Sequence, residues 1–170
     1  MRRRLVALSW LALVAGACAT PSTGHPQAVT QAPNAPADRP VQLVAPSSKH
    51  PLETWRARLA PYVAQARVTY PDAKRRYLAG LPPGESFFVT TILVRDEAHF
   101  EQVFLLVDHI ADGTITGHIS SDVSTLRGFK SGDLYSCAER EIIDWVISKP
   151  DGSEEGNVVG KFLDGLRRAP

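Results

Sequence analysis

Apolar positions along this chain keep a helical period first, an extended period next and a helical period again at the end. Leu52, Trp55, Leu59 and Val63 recur at three- and four-residue intervals, one face of a helix. Pro61 interrupts that face: a proline nitrogen carries no hydrogen for the helical ladder, so the pattern predicts a break or kink there. A second helical unit is expected to start at Pro71-Asp72, which suit a first turn, and to run through Tyr77 and Leu78 to a stop at Gly80. Lys74, Arg75 and Arg76 read as its solvated face.

Beyond Gly84 the alternation becomes twofold. Phe87 to Val94 is apolar and β-branched on both faces, as in a central strand covered on both sides. Asp96-Glu97 turns the chain into His99–His109, with Val103, Leu105 and Val107 on one face and Phe100, Phe104 and Leu106 on the other. Asp112-Gly113 is a hairpin signal, since both residues tolerate the positive φ of tight primed turns. Thr114 to Ser120 then places Ile115, Gly117 and Ile119 inward and Thr114, Thr116 and His118 on a wet face. Ser121 to Lys130 reads as a loop, Leu134–Ala138 and Ile142–Ile147 as strands four and five, and Gly152–Gly156 as a flexible acidic tip. Val158, Val159, Phe162, Leu163 and Leu166 form a short closing helix with Asn157 as N-cap. The expected architecture is α+β: N-terminal helices, a five-stranded and mainly antiparallel sheet, and a short C-terminal helix. A small barrel of SH3-like shape fits the same strands.

The first fifty residues follow other rules. Arg2, Arg3 and Arg4 precede an apolar run from Leu5 to Gly16, which resembles an export signal. The run is too short for a membrane-spanning helix, which needs about 20 residues. Ala15-Gly16-Ala17-Cys18 resembles the lipobox of bacterial lipoproteins, which implies cleavage before Cys18 and acylation of that residue. Each buried methylene contributes about 0.8 kcal/mol, so two or three acyl chains anchor durably where one does not. Residue 19 is Ala rather than a retaining Asp, so the expected address is the outer membrane, facing the periplasm. From residue 19 to 50, Pro21, Pro26, Pro33, Pro36, Pro40 and Pro46 stand among small polar residues, a composition expected of a disordered tether. Residues 51–170 are left as one domain.

Charge narrows the partners. The formal net charge is +1 and, without Arg2, Arg3 and Arg4, 16 basic side chains meet 18 acidic ones, so there is no basic footprint for nucleic acid. With Cys18 lipidated, Cys137 has no disulfide partner and reads as a small buried hydrophobe. No phosphate-cradling loop, Cys/His metal spacing or serine elbow occurs, so no catalytic set, metal or cofactor is expected. Glu139, Glu141 and Asp144 lie close in sequence, but Glu141 and Asp144 are an odd number apart and face opposite ways on a strand. Asp144 shares parity with Ile142 and Val146; buried there, it needs donors and would pin the adjacent loop. Trp145 falls with Ile143 and Ile147, as core or as an exposed aromatic platform. His118 stands mid-strand on the wet face.

Glu101-Gln102-Val103-Phe104 on a strand, Gly117 on the next, Gly132-Asp133 at a turn, Ile143-Asp144-Trp145 and Gly156 together resemble the YegJ-like bacterial domains of unknown function, over about Tyr62 to Leu166. The chain departs from that pattern at Phe104, where Trp is expected, and at Ser121-Asp122, where an Asn-Pro-like turn is expected. The resemblance implies a fold rather than an activity. Two functional expectations follow. One is a lipid-anchored envelope protein acting as a non-catalytic protein-interaction or accessory module through Thr114–Ser120 and Ser121–Lys130, with a membrane and an envelope protein as partners. The other is a small-ligand binder or weak hydrolase with a pocket around His118, Asp144 and Trp145.

Overall fold

The computed structural model describes residues 34–36 and 48–168. The signal segment, Cys18 and most of the tether lie outside the described residues. Helix α1 spans Pro51–Ala79 without interruption. The expected break at Pro61 and the separate start at Pro71 are corrected: both prolines lie inside the one helix, on its exposed side. Each removes one ladder hydrogen bond, but the freed carbonyls face water. Meanwhile the apolar seam Leu52, Trp55, Leu59, Ala66, Tyr70, Ala73 runs unbroken past both and is buried. Tertiary packing of a continuous face outweighs a local propensity cost.

Six strands follow: β1 Ser86–Val94, β2 Phe100–Ala111, β3 Thr114–Ile119, β4 Leu134–Ala138, β5 Asp144–Ser148 and β6 Glu154–Gly156. They form one open sheet in the order β4-β3-β2-β1-β5-β6, every neighbouring pair antiparallel. The α+β class therefore stands, with six strands in place of five and no closed barrel. The sixth strand is the stretch expected as a flexible tip. Asp151 organises its turn by accepting the Ser153 N–H and hydroxyl through Oδ1, and Glu155 is held between Arg76 and Lys149 at 2.5 and 2.9 Å. The β2–β3 turn has the primed geometry its sequence demands, with Asp112 at φ 50° and Gly113 at φ 73°.

One face of the sheet packs on α1. Phe87, Val89, Leu93, Val103, Leu105, Ile115, Ile119 and Ile147 meet Ala66, Tyr70 and Ala73 of the helix in one core. Both flanks of the sheet reach the same helix. Lys74 donates to Glu139 after β4 at 2.5 Å, and Arg76 donates to Glu155 on β6. Lys74 and Arg76 thus tie the helix to the sheet instead of forming a merely solvated face, and of the three only Arg75 pairs in the open, with Asp72.

The opposite face carries Phe88, Phe104 and Val146, with Ala35 packed on them. Asn34 Nδ2 donates to the Gly84 and Ser148 carbonyls at 3.1 and 2.9 Å, which fixes that segment against the sheet. Helix α2, Val158–Arg168, closes the chain, its Val159 and Leu163 buried with Trp55, Leu59 and Ile143 while Phe162 stacks on Tyr62.

Candidate functional site

The three singled-out side chains occupy three different environments. Trp145 lies beneath α1 and its Nε1–H donates to the Ala66 carbonyl at 3.1 Å and to the Thr69 hydroxyl at 3.0 Å. Asp144 points to the other face and is buried at the start of α2, where Oδ2 accepts the Val159 N–H at 2.6 Å and Oδ1 accepts the Trp145 N–H at 2.8 Å. The donors that a buried Asp144 requires are thus backbone amides, and the carboxylate caps a helix that begins 14 residues further along the chain. Burial pushes this carboxyl up to about 6, against the downward pull of the N–H groups of residues 145, 158, 159 and 160.

His118 sits on β3, with Nδ1 3.0 Å from the Gly132 carbonyl and Nε2 3.2 Å from Asp108 Oδ2. Three strand spacings separate β3 from β5, about 14 Å at roughly 4.8 Å each. The structure therefore does not bring His118, Asp144 and Trp145 to one cavity.

Other groups with chemical potential are also committed to the framework. Cys137 is buried on β4, and burial pushes its thiol up, away from the reactive thiolate. Among the described residues no three His, Cys, Asp or Glu side chains are placed to hold a metal ion. Glu101, which the sequence offered only within the Glu101-Gln102-Val103-Phe104 pattern and without a role, is a buried carboxylate accepting the N–H groups of Ser124, Thr125 and Leu126 and the Ser124 hydroxyl. It ties the 121–127 loop to β2 and seats Leu126 in the core. Its signal was a glutamate at core-facing parity with Val103 and Leu105.

The glycines of the sequence pattern serve close approach. A Cβ on Gly117 would collide with the Leu106 carbonyl oxygen, and one on Gly156, at φ 74°, with the Trp145 carbonyl oxygen and ring.

Among the described residues, a cleft and a strand edge combine apolar surface with unspent polar groups. The first is a cleft of about 820 Å³ between the N-terminal half of α1 and the corner where the chain passes from β4 to β5. Trp55, Leu59, Val63, Ile92 and Ile143 give it an apolar body, while Arg56, Arg67, Arg140 and Glu141 give it charge. Arg67 is fixed: Nη2 donates to the Arg140 and Ile142 carbonyls at 2.7 and 3.1 Å, and Nε donates to Ile142 at 3.3 Å. Glu141 Oε2 accepts the Ala138 N–H at 3.2 Å.

The second feature is the free edge of β4. Because Ala138 gives its N–H to Glu141, it directs that group away from β3. Strand alternation directs the main-chain groups of Leu134 and Ser136 outward as well. Leu134 is 64% exposed and Phe129, edge-on to Tyr135, is 38% exposed. The strand Leu-Tyr-Ser-Cys-Ala contains no charge and no proline, the devices that usually blunt an edge.

Neither a protein-family model, a curated protein nor a solved structure matches this chain.

Proposed function

We propose that this chain is a lipid-anchored protein of the bacterial envelope whose domain is a non-catalytic interaction module, and that it holds a protein partner by strand addition to β4. The observation that carries the reading is that edge: outward main-chain groups at Leu134 and Ser136 beside an exposed Leu134–Phe129 surface. An extended segment of another protein fits it. Main-chain hydrogen bonds supply affinity, and alternate apolar side chains supply specificity over Leu134. A five-residue edge buries too little for a stable dimer, which needs upward of about 1,000 Å². Arg2–Arg4, the apolar run and Ala15-Gly16-Ala17-Cys18 support export and acylation at Cys18, and Ala19 supports an outer-membrane position facing the periplasm. No helix among the described residues is long and apolar enough to cross a membrane. The proposed YegJ-like kinship is one of framework, since Gly117, Asp144 and Gly156 serve packing and capping.

The test uses the full-length protein in cells. A photo-cross-linking residue at Ser136 should capture an envelope protein, whereas one at Arg75, on the exposed side of α1, should not. Ser136→Pro deletes an outward N–H, leaves the β3–β4 main-chain bonds in place at the cost of the Thr116–Ser136 hydroxyl contact, and should abolish capture from Leu134. The control Ser136→Ala, which loses the same hydroxyl contact, should not. Capture that survives Ser136→Pro, or capture of a second copy of this chain alone, overturns the reading. Acyl labelling should be lost in Cys18→Ala; labelling that persists sinks the anchor.

A further inference from the structure

We infer that the cleft beside α1 is a binding site for a single-chain amphiphile carrying an anionic carboxylate head. This site is distinct from the outward main-chain groups of the β4 edge, although Tyr135 of that strand reaches its wall, and it is read from shape and charge. The residues that α1 contributes run from Trp55 to Arg67, a length of about 18 Å at 1.5 Å per residue, so the cleft is a trough rather than a pit. Its volume of about 820 Å³ lies within the range of roughly 300–1,000 Å³ that small-molecule sites occupy. The middle of the trough is apolar, lined by the half-buried Val63 and Ile92 over the buried Leu59, and it suits an extended hydrocarbon chain.

Charge then sets the direction. At the far end of α1's contribution, Arg67 stands next to Arg140, whose carbonyl it holds, so two guanidinium-bearing residues meet there. Two of the three Arg67 nitrogens are spent on carbonyls, which fixes the plane of its fork and leaves Nη1 without a hydrogen bond among the described residues. The Arg140 side chain is exposed and makes no ion pair among the described residues. The cleft's one carboxylate, Glu141, already accepts the Ala138 N–H. At this end two guanidiniums against one engaged carboxylate favour an anion: Arg67 offers the hydrogens of Nη1, and Arg140 offers a whole planar fork, which matches a carboxylate. Arg56, at the opposite end, contributes its aliphatic stem to the wall beside the chain terminus.

The experiment is a titration of the full chain, purified in a detergent-free scaffold, with sodium dodecanoate, read by calorimetry and by the fluorescence of Trp55 in a background carrying both Trp10→Phe and Trp145→Phe. Dodecanoate should bind, while dodecanol, which lacks the charge, and acetate, which lacks the chain, should each bind at least tenfold more weakly. Arg140→Gln should weaken dodecanoate about tenfold, Arg56→Gln less than threefold, and Ala60→Phe, which fills the trough from the exposed face of α1, should abolish binding with an unchanged melting curve. Ser136→Pro should leave the titration untouched, which separates this site from the strand-addition reading. Equal binding of dodecanol and dodecanoate, no effect of Arg140→Gln, or full binding in a folded Ala60→Phe protein overturns the inference.

Discussion

Replacing Asp144 by asparagine should flatten one component of the pH dependence of folding. In the folded protein this carboxyl titrates at about 6, against an ordinary 3.8, because burial penalises the charged form more than the α2 amides favour it. The folded state therefore holds the proton more tightly than the unfolded chain. The corresponding stability is fully present below the unfolded value and is lost as pH rises through the folded one. Some two pKa units at 1.36 kcal/mol each make about 3 kcal/mol, lost between roughly pH 4 and pH 7. Asparagine has no such titration. Its carbonyl still accepts the Val159 N–H, but its amide group faces the Trp145 N–H, a pH-independent loss of about 1 kcal/mol.

The assay is urea unfolding of both proteins at pH 4, 5, 6 and 7.5, followed by tryptophan fluorescence. The difference between them cancels every other titrating group, Glu155 included. Asp144→Asn should be less stable than wild type at pH 4 and should gain on it by about 3 kcal/mol by pH 7.5. A stability difference constant across that range, or one moving the other way, would falsify the claim that burial dominates at this carboxyl.

Other outcomes follow from the same contacts. Gly156→Ala places a Cβ against the Trp145 carbonyl at φ 74° and should cost more than about 2 kcal/mol, read as a fall in Tm. Glu101→Ala strips the acceptor from three loop amides and should cost about 3 kcal/mol or more, with faster hydrogen exchange at Leu126. Glu155 is held down to about 2 by Arg76 and Lys149, so its contribution is present above the unfolded value and fades as pH falls towards 2. Its side chain is 35% exposed, and solvent screening limits that contribution to about 1 kcal/mol, measurable as the acid-limb difference between wild type and Arg76→Ala. Pro61→Ala restores a ladder N–H on the exposed side of α1 and should raise stability by about 1–3 kcal/mol in a thermal melt.

Local rules were enough for part of this protein. Twofold alternation placed Ile115, Gly117 and Ile119 inside and His118 on the wetter face, parity alone put Asp144 and Trp145 on opposite faces, and Asp112-Gly113 specified its own turn. These succeed because pleat parity and positive-φ tolerance belong to neighbouring residues. What depends on distant neighbours was not legible. The prolines of α1 looked like stops until a continuous buried seam ran past them. The acidic Glu154–Gly156 stretch looked like a tip until β5 and Arg76 held it, and Asp144 became a helix cap only once the chain returned 14 residues later. The arginine-lined cleft belongs to the same class. Arg56, Arg67 and Arg140 are separated by as many as 84 positions, and only the packing of a helix across the end of a sheet gives them a common wall.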